Sequence, residues 1–279
     1  MSAPAPNYWL DDDCARAFCD QHHAVPYQEL LRDTGQLLDP KPGERWLDLG
    51  CGSGQLTALI WRKSQGRVGQ IIAFDCAMAN AQAVGRIRER LTPRPGPQQI
   101  AFVLGNFSDG LGEFRAASFD GVTSGLALSY AESWDPLARR YTDAAYNRAF
   151  AEVYRVLKPG GQFIFSVNVP QPRFWRIFCS SLGVAFRLSK PAKVLVNSVR
   201  MQGYGRWLQR EAARGRFHFL PSSVIVERLE QAGFSVVKAG LSYAGQAYLL
   251  SALKRTSQPP HPGHLAPMCL AWSETTSQS

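Results

Sequence analysis

The sequence predicts an α/β fold in which helices cover both faces of a mostly parallel sheet. Short apolar segments with strand character alternate with helix-like segments between residues 45 and 169. Such alternation is typical of parallel strands joined by crossover helices. Two consecutive strand-like segments follow between residues 234 and 254. Because only a short turn joins them, they predict a terminal antiparallel hairpin.

Each element is predicted by its own local pattern. Helix ends are marked by Pro and Gly, as in the Lys-Pro-Gly-Gly stretch at residues 158–161 and at Gly233. The predicted strands cover residues 45–50, 69–75, 99–104, 119–128, 162–169, 234–243 and 247–254. The predicted helices cover residues 54–63, 77–91, 137–157 and 222–232.

The chain of 279 residues is long enough for one large domain, and we expect that domain at residues 26–255. Residues 1–25 are predicted to be an N-terminal arm or lid helix. Residues 256–279, rich in Pro, Ser, Thr and Gln, are predicted to be a disordered tail. No apolar run reaches 18 residues, and the first residues have no signal-peptide pattern.

The six cysteines show no CxxC pair, so reduced thiols and a cytoplasmic location are expected. His22 and His23 follow Cys14 and Cys19, but this spacing fits no zinc pattern. A surface helix is the simpler interpretation, and no metal site is predicted.

A glycine-rich turn after the first predicted strand marks the expected ligand site. Gly50, Gly52 and Gly54 lie between this strand and the next helix, where glycine lets the backbone turn sharply and approach a ligand. A dinucleotide fingerprint would need glycine at position 55, where the chain has Gln55. The phosphate-cradling GxxxxGK[ST] motif is also absent from the sequence.

Asp75 ends the second predicted strand, 23 residues after Gly52. In doubly wound folds, an acidic residue at this place accepts hydrogen bonds from ribose hydroxyls. The alternative is that Asp75 caps the following helix, and the two roles are compatible. Together with the glycine turn, Asp75 predicts a nucleoside site.

Three motifs resemble those of class I (Rossmann-like) S-adenosylmethionine-dependent methyltransferases. They are LDLGCGSG at residues 47–54, FDGVTS at residues 119–124 and EVYRVLKPGG at residues 152–161. They occur in the order and spacing of that family, and the resemblance covers about residues 26–255. It implies a doubly wound, seven-stranded, mostly parallel sheet with a terminal antiparallel hairpin, and S-adenosylmethionine as the cofactor.

The resemblance also implies which residues would bind that cofactor. Asp75 would hold the ribose hydroxyls, and Cys76 would pack near the adenine. Asn106 departs from an aspartate that the family often places opposite the adenine amino group. The residues implied to bind the cofactor are Asp48, Gly50, Gly52, Gly54, Asp75, Cys76, Asn106, Phe107 and Ser124.

Methyl transfer needs placement of the acceptor and exclusion of water, and a base only when the acceptor has a high pKa. The catalytic residues are therefore hard to identify from the sequence. Tyr130 and Glu132 follow the fourth predicted strand, and His218 precedes a helix. For Tyr130 the simpler interpretation is a pocket wall, and for His218 a bond to the backbone.

Residues 171–216 form a basic insert after the fifth predicted strand. They hold ten arginines and lysines against Glu211 alone, a net charge of ten minus one, which equals the +9 of the whole chain. Three interpretations remain open: a lid over a small hydrophobic or anionic molecule, an element resting on an anionic membrane, or a nucleic-acid groove. A fourth is a solvated lid whose charges only aid solubility.

The resemblance favours the small-molecule branch, which includes enzymes of quinone and lipid biosynthesis. Residues 124–129 lack the Asn/Asp-Pro-Pro-aromatic motif of amino-group methylases. We therefore expect a methyltransferase for a small, hydrophobic or lipid-like acceptor, with peripheral contact to an anionic membrane. The alternatives are a nucleic-acid (RNA) methyltransferase that uses the basic insert and a non-catalytic methyltransferase-like binding protein.

Overall fold

The computed structural model describes residues 7–10, 24–173, 203 and 205–256. The predicted tail beyond residue 256, most of the basic insert and the His22–His23 pair with Cys14 and Cys19 lie outside the described residues.

A seven-stranded sheet forms the centre of the protein, and two short strands form a separate hairpin. The strands are β1 (Arg45–Leu49), β2 (Gln70–Asp75), β3 (Ile100–Leu104), β4 (Phe119–Gly125), β5 (Trp134–Asp135), β6 (Arg140–Tyr141), β7 (Leu157–Asn168), β8 (Phe234–Ser242) and β9 (Ala247–Lys254). The order in the large sheet is β3-β2-β1-β4-β7-β9-β8. The first five strands in this order are parallel, and β9 is antiparallel to both of its neighbours. This confirms the predicted fold class, including the terminal hairpin.

Helices cover both faces of this sheet. The helices are α1 (Val25–Leu37), α2 (Gln55–Lys63), α3 (Met78–Arg90), α4 (Ala144–Val156), α5 (205–213) and α6 (Ser222–Gln231). Leu30 of α1, Ile60 of α2 and Val84 of α3 belong to one apolar cluster. Phe150 of α4 and Ile225 of α6 belong to the other.

Two predicted boundaries are wrong. The helix predicted to begin at residue 137 begins at Ala144, because residues 134–141 form the separate β5–β6 hairpin. The Asp135 carboxylate closes this hairpin by accepting hydrogen bonds from the N–H groups of Leu137 and Ala138. The fourth strand was predicted to reach Leu128 but ends at Gly125, and a short 3-10 turn follows at residues 128–130.

Residues 158–161 end the long helix, as predicted, because α4 stops at Val156. They do not form a loop, however, since β7 begins at Leu157 and runs through them. Leu157 already pairs with Phe119 of β4, and Lys158 bonds to the Asp120 carboxylate. Tertiary pairing with β4 therefore extends this strand beyond its local pattern.

Gly121 is where β4 passes closest to a large side chain. A Cβ at this position would lie 2.5 Å from the indole ring of Trp46, which is 2% exposed. We expect Gly121→Ala to lower the free energy of unfolding by about 1–3 kcal/mol through overpacking. Urea denaturation would measure this.

Gly240 offers the matched control, because it also lies in a strand but its Cβ position has no atom within 4 Å. An equal loss for Gly240→Ala and Gly121→Ala would contradict the packing argument.

Candidate functional site

The glycine turn after β1 is tied to the end of β2. The N–H groups of Gly50 and Cys51 both donate to the Phe74 carbonyl, at 2.8 and 3.1 Å. The N–H of Gly52 donates to Asp75 Oδ2 at 2.8 Å. The turn therefore sits at the carboxyl edge of the sheet, where the order reverses between β1 and β4 and ligands of doubly wound folds bind.

All three glycines have a left-handed backbone, with φ of 69° at Gly50, 50° at Gly52 and 82° at Gly54. The space around Gly50 differs from that around Gly52. A Cβ on Gly50 would lie 2.4 Å from the Cβ of Ala127, so Gly50 is required by protein packing. A Cβ on Gly52 would have no atom within 4 Å. Gly52 therefore borders open space, as a close approach to a ligand requires.

Asp75 organises this edge of the sheet. Its Oδ2 accepts from Gly52, and its Oδ1 accepts from the N–H of Ala77 at 3.0 Å, just before α3. Asp75 does not cap α3, because the N-cap residue is Ala77 and no side chain caps the helix; the bond to Ala77 only closes the turn before it. A carboxylate offers about four acceptor sites, so these two bonds leave Asp75 capacity for ribose hydroxyls.

Asp48 is fully buried below the turn. Its Oδ2 accepts from the backbone N–H of Thr57 at 2.8 Å and from the Thr57 hydroxyl at 2.6 Å. Its Oδ1 has no hydrogen-bond partner among the residues that the structure describes. Burial raises the pKa of Asp48 to about 7, against the opposing effect of the Thr57 bonds. Burial raises the pKa of Tyr27 in α1, and the nearby charge of Asp48 raises it further.

The residues expected at the adenine end lie after β2 and β3. The Cys76 thiol donates to the Trp9 carbonyl at 3.6 Å, and burial raises its pKa to about 12, so the thiol stays protonated at neutral pH. Asn106 Oδ1 accepts from the N–H of Ser108 at 3.0 Å. The Phe107 ring lies 3.4 Å from the Cβ position of Gly50, directly beside the turn.

Ser124, the last of the predicted residues, is 1% exposed and donates its hydroxyl to the Leu49 carbonyl at 2.8 Å. This bond joins β4 to β1. All nine residues implied to bind the cofactor thus lie at the carboxyl ends of β1 to β4, and their cofactor contacts remain a prediction.

Of the three catalytic candidates, Tyr130, Glu132 and His218, the first lies in the wall of the site. The Tyr130 hydroxyl accepts from Asn168 Nδ2 at 2.9 Å. The ring centroids of Tyr130 and Trp9 are 4.9 Å apart. Burial raises the pKa of Tyr130 well above its ordinary value, so the phenol stays protonated at neutral pH.

His218 is buried just after the basic insert, and its ring meets the Tyr146 ring edge-on at 5.8 Å. The backbone N–H of His218 donates to the Ser129 carbonyl at 2.8 Å, which is a main-chain bond and not a bond of the imidazole. Burial lowers the pKa of His218, and backbone hydrogen bonds of the ring at Thr142 and Ala131 oppose this effect, in line with the predicted bond to the backbone.

An aromatic cover, formed by Tyr8, Trp9, Trp207 and Phe217, packs against Tyr130. Ring centroids are 4.2 Å apart for Tyr8 and Trp207, and 5.1 Å for Tyr130 and Phe217. It joins the N-terminal arm to α5 and the residues after it. Nothing in the sequence indicated that Trp9 would meet Tyr130 and Phe217.

A buried ion cluster fixes the end of the insert, and sequence reasoning missed it. Arg216, 4% exposed, donates to Glu132 Oε2 at 3.0 Å and to Glu211 Oε2 at 3.4 Å. Glu211 also bonds to Arg214. Arg216 is therefore buried and contributes nothing to a basic surface, whereas Arg214 is paired but remains 71% exposed.

The comparisons with known proteins agree with this geometry. Residues 47–165 match the family model described as a methyltransferase domain. The demethylmenaquinone methyltransferase of Symbiobacterium thermophilum is 35% identical over 137 residues, which are 49% of this chain and 47% of that protein. The nocamycin O-methyltransferase of Saccharothrix syringae is 25% identical over 76% of this chain and 66% of its own length.

A solved structure, the complex between the Haloferax volcanii Trm112 methyltransferase activator and a methyltransferase, superposes with a TM-score of 0.60. It is 17% identical and covers 90% of this chain and all of that chain. At this identity the likeness shows the fold alone.

Residues 47–165 therefore carry a methyltransferase domain, and the sheet has the class I methyltransferase fold, the class whose cofactor is S-adenosylmethionine. The chain spans about half the length of the first curated relatives that it matches. Among the described residues, no helix is long and apolar enough to cross a membrane, and no three His, Cys, Asp or Glu residues cluster as a metal site would require.

Proposed function

We propose that this protein is an S-adenosylmethionine-dependent methyltransferase acting on a small, hydrophobic, lipid-like acceptor. The observation that carries the proposal is the aromatic cover, which meets the carboxyl edge of the sheet through Trp9. Trp9 contacts both Cys76, expected next to the adenine, and Tyr130 in the wall of the site. An apolar surface at this place suits an apolar acceptor and excludes water from the reacting atoms.

The residues of the turn fit the cofactor. Gly52 borders open space, Asp75 keeps acceptor sites for ribose hydroxyls, and the unpartnered Oδ1 of Asp48 suits the ammonium group of the methionine part. When bound, S-adenosylmethionine supplies the methyl group and its sulfonium activation. The protein then has to hold and orient the acceptor, because an in-line transfer depends on alignment.

The curated relatives support the acceptor class. The names of the matched proteins from Symbiobacterium thermophilum and Saccharothrix syringae describe methylation of a menaquinone precursor and of nocamycin. Arg206 and Arg210 of α5 are exposed beside the aromatic cover. In the proposal these two arginines hold a cytoplasmic enzyme against an anionic membrane that contains such acceptors.

A transfer assay tests the acceptor class. The purified protein would be incubated with methyl-labelled S-adenosylmethionine and either reduced naphthoquinones and phenols in vesicles, or total RNA. We expect label in the organic extract, and none with the Gly52→Asp variant. Label in RNA alone would support the nucleic-acid alternative, and no transfer to any acceptor would support a non-catalytic binding protein.

The Tyr130→Phe variant separates a wall residue from a catalytic base. It removes only the hydroxyl that Asn168 donates to. We expect the rate constant of methyl transfer to fall less than about tenfold, because one buried hydrogen bond is worth about 1 kcal/mol. Single-turnover methyl transfer would measure this, and a fall of about 100-fold or more would identify Tyr130 as a general base.

A further inference from the structure

Glu132 follows the 3-10 turn after β4. Its carboxylate is buried, and one of its two oxygens has no hydrogen-bond partner among the described residues. Its side chain is 9% exposed, and Arg216 donates to Oε2. The Tyr8 backbone N–H also interacts with this carboxylate and lowers its pKa, against the larger effect of burial, but within the described part of the chain Oε1 has no hydrogen-bond partner. A buried acceptor without a partner is costly. Oε1 is therefore suited to a donor on a bound molecule.

The neighbours of Glu132 belong to the adenine end of the site. Its backbone N–H donates to Ser108 Oγ at 3.0 Å, in the turn after β3 that begins with Asn106 and Phe107. Its charge also helps to raise the pKa of the Cys76 thiol, after the larger effect of burial. Glu132 thus lies near the residues after both β2 and β3, between which an adenine ring would bind.

Asn106 alone does not satisfy the adenine amino group, which carries two N–H donors. Asn106 Oδ1 already accepts from the N–H of Ser108, so at most one lone pair of this neutral oxygen remains for the base. The second N–H of the adenine amino group would lose its water on binding and would be left unpaired. The Glu132 carboxylate near the same turn, with an unpaired oxygen, can accept this hydrogen bond.

We infer that Glu132 Oε1 accepts a hydrogen bond from the exocyclic amino group of the cofactor's adenine. The inference rests on the proposed function, because it requires an adenine-bearing cofactor at the glycine turn. Arg216 is then a positioning residue, which holds Oε2 so that Oε1 remains for the base. Glu211, on the other side of Arg216, keeps the guanidinium paired.

Calorimetric binding of two nucleosides tests this assignment. S-adenosylhomocysteine carries the amino group at C6 of the purine, whereas S-inosylhomocysteine carries a carbonyl oxygen there. The parent protein is expected to prefer the adenosyl compound by about tenfold or more. The inosyl compound cannot donate to the charged Glu132 carboxylate, and its C6 carbonyl oxygen would face Oε1, so that two acceptors oppose each other.

The Glu132→Gln variant should reverse this preference. Arg216 would retain the amide oxygen at the Oε2 position, so the amide NH₂ would take the place of Oε1 and donate. The adenosyl compound is then expected to bind more weakly and the inosyl compound more tightly, so that their affinity ratio falls at least about tenfold. The ratio is insensitive to any general loss of folded protein.

Glu211→Gln is the matched control, because Glu211 is a buried carboxylate on the same Arg216. Its ratio should equal that of the parent. An unchanged ratio in Glu132→Gln, an equal change in both variants, or a parent without preference would overturn the assignment. A higher acceptor KM with an unchanged ratio would place Glu132 at the acceptor instead. Absence of binding of either compound to the parent would contradict the proposed function, and the assignment with it.

Discussion

The Asp75→Ala variant is expected to bind S-adenosylhomocysteine at least about 100-fold more weakly than the parent. Asp75 would lose its bonds to the ribose hydroxyls, and hydrogen bonds to a charged group contribute about 1.5–3 kcal/mol each. The Gly52 and Ala77 N–H groups would also lose their acceptor. A loss of about 1–3 kcal/mol in the free energy of unfolding should accompany the weaker binding.

Asp120→Ala provides the matched control for this variant. Asp120 also accepts a backbone N–H across the sheet, from Arg45 at 2.8 Å, and a side-chain bond from Lys158. It lies at the start of β4, at the opposite edge of the sheet. Calorimetry should show parental affinity for Asp120→Ala, and equal affinity losses in the two variants would mean that Asp75 acts only through stability.

The Gly52→Asp variant is expected to lose measurable cofactor binding while it still folds. The left-handed backbone at φ 50° strains any side chain by about 1–2 kcal/mol. The open space at its Cβ position means that the protein itself is not overpacked. The new carboxylate would occupy the space of the ligand, beside Asp75. We expect an affinity loss of at least about 100-fold in calorimetry, with a cooperative unfolding transition retained.

Gly43→Asp imposes the same kind of strain elsewhere. Gly43 has φ 80° and no atom within 4 Å of its Cβ position, but it lies in the turn before β1. Its affinity should match that of the parent. If Gly52→Asp bound the cofactor as tightly as Gly43→Asp, the ligand would lie elsewhere.

Local motifs made the glycine turn and its position beside Asp75 predictable from the sequence. Gly52 and Asp75 lie at the carboxyl ends of two consecutive parallel strands, which are neighbours in the sheet. Their separation of 23 residues along the chain therefore predicts that they meet at the same edge. The same holds for the alternating strands and helices, whose order follows from apolar segments and Pro-Gly stops. The early start predicted for α4 failed because the β5–β6 hairpin interrupts the helical pattern after Asp135.

The cover and the ion cluster could not be predicted, because they join distant parts of the chain. Trp9 meets Phe217 across more than 200 residues, and Arg216 meets Glu132 across 84. In the sequence, Arg216 is one more basic residue of a basic insert. Only the fold shows that it is buried between two carboxylates, so residue counts overstate the basic surface.

Calorimetric titration of the purified protein with S-adenosylhomocysteine, with NAD as the control ligand, tests the central claim most directly. The turn lacks the dinucleotide glycine and keeps Asp75 for a ribose, so we expect micromolar binding of S-adenosylhomocysteine alone. Binding of NAD, or of neither ligand, would contradict the assignment of the glycine turn as the site of a methyltransferase cofactor.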